Sequence, residues 1–166
     1  MKQIPREDVS IELLVSLIEN SGYRCQANEE FIDVISTPFA TRVRFSKDYP
    51  TLKILCFLKL KSDIDLSDAY ELEGKIHRSV SMVQAVCQGW EDGTSSLVLE
   101  YQFYFPFGLN MANFMYCLRM VGDLASIVFR DHGKNPKYFS TNDAEDAGDE
   151  SSQSGESVEG GNFAIH

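Results

Sequence analysis

Apolar and polar residues alternate most clearly from Thr41 to Lys61, TRVRFSKDYPTLKILCFLKLK. Val43 and Phe45 fall on one side of this stretch, Arg42 and Arg44 on the other. Further on, Leu52, Ile54, Cys56, Leu58 and Leu60 share a side opposite Lys53, Leu55, Phe57, Lys59 and Lys61. A period of two residues marks strands, and Lys47 to Pro50 supplies the loop between them. Closing that loop sets Ser46 opposite Thr51, Phe45 opposite Leu52, Val43 opposite Ile54, Arg44 opposite Lys53 and Arg42 opposite Leu55. Like charges facing each other on a sheet are unfavourable unless solvent or an acidic partner relieves them. The predicted result is a locally basic sheet face with Leu55 and Phe57 embedded among Arg42, Arg44, Lys53 and Lys59.

Upstream, Ile11, Leu14, Val15 and Ile18 recur at helical spacing, predicting a helix over about Val9–Asn20, capped by Ser10 or Asp8 and stopped by Gly22. Short strands come next at Tyr23–Gln26 and Phe31–Ser36, with a turn at Asn28–Glu30; Pro38 interrupts before Thr41–Ser46. Beyond the long strand, Ala69, Leu72, Ile76 and Val80 line a second helix, about Leu66–Ser79, capped by Ser67 or Asp65. Met82–Trp90 and Ser95–Phe105 form a second hairpin, for which Asp92-Gly93 is a two-residue turn signal. Leu97, Leu99, Tyr101 and Phe103 make its clear apolar face; Val98, Ala85 and Cys87 are assigned to the other, mixed face. A last helix, about Leu109–Asp131, is capped by Asn110 and carries Met111, Phe114, Met115, Leu118, Val121, Ala125, Val128 and Phe129 in one stripe, with Gly133 at its end. Hairpins with helices between and beside them predict an α+β fold, an antiparallel sheet with flanking helices in the order α-β-β-β-α-β-β-α, with room for a fourth strand before the second helix.

Composition changes this picture at one end. The 166 residues carry 25 acids and 15 bases, a formal charge of -10. Seven of the acids lie between Phe139 and His166, a stretch without Lys or Arg that holds four of the 11 glycines and a cluster of serines. Such a segment buries too little apolar surface to offset its ordering entropy. Residues 1–138 are therefore expected to form the domain and 139–166 a disordered acidic tail. The tail reads as a solubilising appendage or as an interaction or autoinhibitory segment hooked by Phe163 and Ile165. Without it the body has 18 acids against 15 bases, or -3. The charge of -10 on the whole chain argues against nucleic-acid binding and against a polybasic membrane surface.

The N-terminal MKQIPRED brings acids directly after its two bases, and no signal-peptide core comes after them. The longest uncharged run, Tyr101–Leu118, is broken by Gln102, Pro106, Gly108, Asn110 and Asn113 and reads as strand, turn and helix start instead of a membrane span. A cytoplasmic location is expected. Cys25, Cys56, Cys87 and Cys117 stand about thirty residues apart, without the close pairs zinc sites use, and read as reduced core thiols. Asp63, Asp65 and Asp68 imitate the start of a calcium loop, but its sixth position is Asp68 and its twelfth Gly74, where glycine and glutamate are required. They read as helix-start acids. The three histidines, His77, His132 and His166, have no nucleophile beside them in a known motif, and no phosphate-binding glycine loop occurs. The expectation is a protein that is not an enzyme and needs no cofactor or metal.

The segment ENSGYRC closing the first helix, the middle hairpin, and VLEYQFYFPFGLNMANFMYCLRMVGDLASIVF, in which a strand feeds a glycine turn and a helix opened by Asn and Phe, resemble the YbjN family of bacterial sensory transduction regulators. The resemblance spans about Val9–Asp131. It implies a type III secretion chaperone-like fold, often dimeric and acidic, and a style of binding more than an activity. Relatives tend to place asparagines late in the second helix, where this chain has EGKIHRS with Gly74 and His77. The expected protein is a non-enzymatic regulatory or chaperone-like module, homodimeric as the resemblance implies. It would engage a polypeptide segment of a protein partner through Arg42, Arg44, Lys53, Leu55, Phe57 and Lys59. The opposing possibility for this face is that Leu55 and Phe57 lie under a helix while the bases are merely solvated. Two alternatives for function are a small-molecule-sensing domain with a pocket between the sheet and the long C-terminal helix, and a genuine type III secretion chaperone.

Overall fold

A computed structural model describes residues 3–35, 37–46, 49–91 and 93–140. The elements in chain order are β1 (Gln3–Ile4), a 3-10 turn (Arg6–Asp8), α1 (Ile11–Asn20), β2 (Cys25–Ala27), β3 (Phe31–Val34), β4 (Ala40–Ser46), β5 (Thr51–Lys59), α2 (Leu66–Ser79), β6 (Gln84–Gly89), β7 (Ser95–Tyr104), β8 (Leu109–Asn110) and α3 (Met111–His132). Six strands form one antiparallel sheet in the order β2-β3-β4-β5-β7-β6, and β1 pairs separately with β8. The α+β class and the run of helices and hairpins match expectation. Four strands stand between α1 and α2, and the β1–β8 pair is an addition.

Helix ends obey their local chemistry. The Ser10 side chain accepts from the Leu13 amide, Asp65 from Ser67 and Asn110 from Asn113, each satisfying a first-turn donor that has no carbonyl partner within its helix. The β4–β5 register is the one predicted: Ser46 faces Thr51, Phe45 Leu52, Val43 Ile54, Arg44 Lys53 and Arg42 Leu55.

The second hairpin departs from expectation in two ways. Ala85 lies opposite Leu99 and Cys87 opposite Leu97, so both belong to the core face; Val98 faces Val86 on the other side. Because side chains alternate with every residue, assigning the partner strand one position off exchanges its two faces. The turn is also longer than two residues. The Gly93 amide donates to the Trp90 carbonyl, the Trp90 amide to that of Thr94, and Gly93 takes φ 81°, which fits a wider loop ending in a left-handed glycine. Asp92 lies outside the described residues, as do Ser36 and Lys47, which close the predicted second strand and open the first hairpin's loop.

All three helices cover one face of the sheet. Phe114, Leu118, Val121, Ala125 and Val128 of α3 meet Leu52, Ile54, Cys56, Leu97 and Leu99 in one buried cluster, with Leu72 and Ile76 of α2 and Leu14 and Ile18 of α1 beside them. By length and composition α3 could cross a membrane, but its apolar stripe is occupied by the sheet. Beyond α3 the chain folds back. Tyr138 and Phe139 are buried at 0% and 1%, so the core includes the residue at which the acidic segment begins. Residues 141–166 lie outside the described residues. Before β8, Gly108 takes φ 108°, and a Cβ there would stand 2.5 Å from the Ile4 carbonyl oxygen. Only glycine allows β1 to lie this close.

Candidate functional site

With every described helix on one side, the other face of the six-stranded sheet is uncovered among the described residues, and its side chains fall into rows fixed by the register. One row runs Asp33, Arg42, Leu55, Glu100 and Gln84 across β3, β4, β5, β7 and β6. The next runs Ala40, Phe57, Val98 and Val86. On the other flank Phe31, Arg44, Lys53 and Gln102 line up. The row through Phe57 is therefore apolar from end to end. The Trp90 ring extends it, its centroid 6.1 Å from that of Phe57, while its Nε1 donates to Ser96 Oγ at 3.2 Å.

The charged rows neutralise themselves. Arg42 donates to both oxygens of Asp33, at 2.7 and 3.0 Å, and its guanidinium carbon sits 3.6 Å from the centre of the Phe31 ring. A two-bond fork of this kind, stacked on an aromatic face, holds the arginine in one orientation. Lys53 pairs with Glu100 at 2.7 Å, and Arg44 approaches Glu30 at 3.9 Å. The expected repulsion between Arg44 and Lys53 is thus relieved by acids from β7 and from the turn before β3. The face is an apolar strip bordered by ion pairs, and not the basic patch that β4 and β5 alone suggest.

The six predicted residues all lie on this face. Arg42, Arg44, Lys53, Leu55 and Phe57 border one shallow groove of about 480 Å³ together with Phe31, Val86, Trp90, Val98 and Glu100. Lys59 stands one row further along, opposite Ser96, and does not line that groove. Leu55 and Phe57 are half-buried by neighbours within the sheet, not by a helix. A second groove, about 750 Å³, shares Arg44, Lys53 and Glu30 with the first and is walled by Tyr49 and Tyr104, exposed at 71% and 65%. Together they make a continuous trough along one end of the sheet. A larger depression of about 1130 Å³, between the 3-10 turn, α1 and Phe45, adjoins the second groove through Glu29 and Phe45.

The four thiols are all held protonated. Burial pushes the Cys56 thiol up to about 11, and burial together with the Glu73 carboxylate pushes Cys87 up to about 12. Burial also raises Cys117, and burial with Glu19 raises Cys25. Thiols held protonated in this way are poor nucleophiles and poor metal ligands. Among the described residues no three His, Cys, Asp or Glu side chains converge as a metal cluster. Asp65 caps α2, and Asp68 pairs with Lys137 at 3.0 Å. His77 Nε2 accepts from the Ala85 amide at 2.9 Å, and His132 meets the Tyr138 ring edge-on. The space that a sensing pocket between sheet and α3 would need is filled by Phe114, Leu118, Val121, Ala125 and Val128.

The geometry defines a one-sided α+β sheet protein whose uncovered face is its candidate binding surface. Its fold is YbjN-like. It is similar to the crystal structure of YbjN, a candidate transcription regulator from E. coli, with a TM-score of 0.66 and 14% identity over 80% of this chain and 97% of that one. A likeness also exists to an uncharacterized protein from Methanothermobacter thermautotrophicus, with a TM-score of 0.52 and 14% identity over 73% of this chain and 94% of that one. No family model matches the chain, and no curated protein matches it in sequence.

Proposed function

We propose that this chain is a non-enzymatic regulatory or chaperone-like module, acting in the cytoplasm as a homodimer, that holds a polypeptide segment of a protein partner against its uncovered sheet face. The observation that carries this reading is the apolar row of Phe57, Val98, Val86 and Trp90, left uncovered by all three helices while the charges around it are already paired. A segment rich in aliphatic and aromatic residues gains most from that row, because the bases beside it have acidic partners of their own. A type III secretion chaperone is a narrower form of the same reading.

Changing Leu55 and Phe57 together to serine tests it. Both are half-buried and outside the main core, so the fold should survive. Affinity for a panel of short Leu-, Phe- and Val-rich peptides, measured by fluorescence anisotropy, is expected to fall about tenfold or more, as losing two central apolar contacts implies. Equal binding by both proteins, or no binding by the wild type, overturns the proposal. The groove walled by Tyr49 and Tyr104, lined by both acids and bases, favours a second reading, in which a small molecule is sensed there. A rise in melting temperature with a metabolite, unaffected by the serine changes, would select it.

A further inference from the structure

Among the described residues the sheet has two free edges, and they are finished differently. β2, at one end, is three residues long and offers little for another strand to pair with. β6, at the other, is six residues long, and its sequence QAVCQG has no charge and no proline. Long uncharged edges of this kind invite another strand. On β6, however, two of the three amides facing away from β7, those of Ala85 and Cys87 but not Gly89, are taken. The Ala85 amide donates to His77 Nε2 at 2.9 Å and the Cys87 amide to Glu73 Oε1. Next in line, Cys87 Sγ donates to the Ala69 carbonyl at 3.5 Å. Ala69, Glu73 and His77 are successive positions, four residues apart, on one side of α2. That helical spacing matches the two-residue spacing of outward-facing groups on the strand. The same contact requires His77 to carry its proton on Nδ1, since Nε2 is the acceptor.

We propose that Glu73 and His77 close the β6 edge to strand addition, and that the strand they exclude is β6 of a second copy of this chain. An uncharged strand paired antiparallel to itself about a two-fold axis brings no like charges together, and it extends both uncovered faces into one continuous sheet. The acceptors sit on side chains and can swing aside, so the closure is reversible in a way that a covering backbone would not be. The homodimer proposed above uses another surface.

Amide hydrogen exchange on the full chain at neutral pH tests this, comparing wild type with E73A/H77A, the single variant H77A, and E73Q/H77N, whose side-chain carbonyls still accept. In the wild type the Ala85 and Cys87 amides are expected to exchange slowly at every protein concentration. In dilute E73A/H77A they should exchange about tenfold or more faster, the scale of one lost hydrogen bond. At high concentration they should slow again as light scattering shows the mass doubling relative to the wild type. H77A should speed Ala85 alone, and E73Q/H77N should behave as wild type. Unchanged protection in H77A, which keeps the proposal testable if the double variant does not fold, overturns the closure. Exchange that is fast at all concentrations in E73A/H77A, with no gain in mass, overturns the second copy as the excluded strand.

Discussion

Replacing Phe114 with alanine is expected to cost about 3–5 kcal/mol of stability, the range for truncating a fully buried aromatic side chain. Phe114 is 0% exposed and meets the Phe103 ring nearly edge-on, with centroids 6.4 Å apart. It belongs to the stripe that fastens α3 to β5 and β7, and on the sheet side the backbone is fixed by pairing on both flanks of β5. Little can move in to fill the hole. For a fold of this size the melting midpoint should drop by about 10–15 °C. The neighbouring Tyr116→Ala is the reference. Tyr116 is 67% exposed on the same helix, and its loss should change stability by no more than about 0.5 kcal/mol. Urea denaturation of both variants checks the contrast. Equal small losses would mean that α3 does not anchor the sheet.

Tyr138 should matter almost as much, for a different reason. It lies six residues beyond the end of α3, yet it is fully buried: its hydroxyl accepts from Lys75 Nζ at 2.8 Å and its carbonyl from the Lys61 amide at 3.0 Å. Lys137 beside it pairs with Asp68 and Glu71 of α2, and Phe139 packs edge-on against Phe129. Tyr138→Ala is expected to cost about 3–5 kcal/mol by the same cavity argument, and Tyr138→Phe only about 1 kcal/mol, one net hydrogen bond. The clasp also has a pH signature. Lys137 and then Lys75, both bonded to the Glu71 carboxylate, hold it down at about 2, below its ordinary 4.5. A depressed carboxyl group contributes its full share above the ordinary value and loses it as pH falls towards the lowered one. Exchange protection of the Lys61 and Tyr138 amides should therefore weaken between pH 4.5 and 2 in the wild type, and less so in Glu71→Gln, where that carboxylate no longer titrates. Identical acid profiles would place the clasp's stability elsewhere.

Local signals account for much of this fold. The β4–β5 register comes from alternation and loop length alone, and α2 begins and ends at Leu66 and Ser79 as its cap and apolar stripe indicate. β1 and β8, two residues each, are too short for any period to show, and they exist because Gly108 permits the approach to Ile4. Alternation read through a two-residue turn puts Ala85 and Cys87 on the wrong face, because one extra turn residue shifts the pairing by a single step. The burial of Tyr138 depends on α2, some sixty residues earlier in the chain, which no pattern near it reveals.

The candidate site divides in the same way. Arg42, Arg44, Lys53, Leu55, Phe57 and Lys59 share a side by simple alternation within one hairpin. Their acidic partners come from pairings that alternation does not determine: Asp33 from β3 and Glu100 from β7, which reaches β5 only after α2 and β6 intervene. Hence the bases are legible in the sequence and their neutralisation is not. Trp90 closes the apolar row from a loop, and His77, which carries no signature in the sequence, finds its role only through its register with Ala85.

Whether the uncovered sheet face is the binding surface is tested most directly by nuclear magnetic resonance. The full chain would be titrated with whichever peptide of the apolar panel binds tightest. Shifts concentrated at Arg42, Leu55, Phe57, Val98 and the Trp90 indole are the predicted result. Shifts confined to the exposed side of α3, around Tyr116 and Ile127, with that sheet row unmoved, would contradict it.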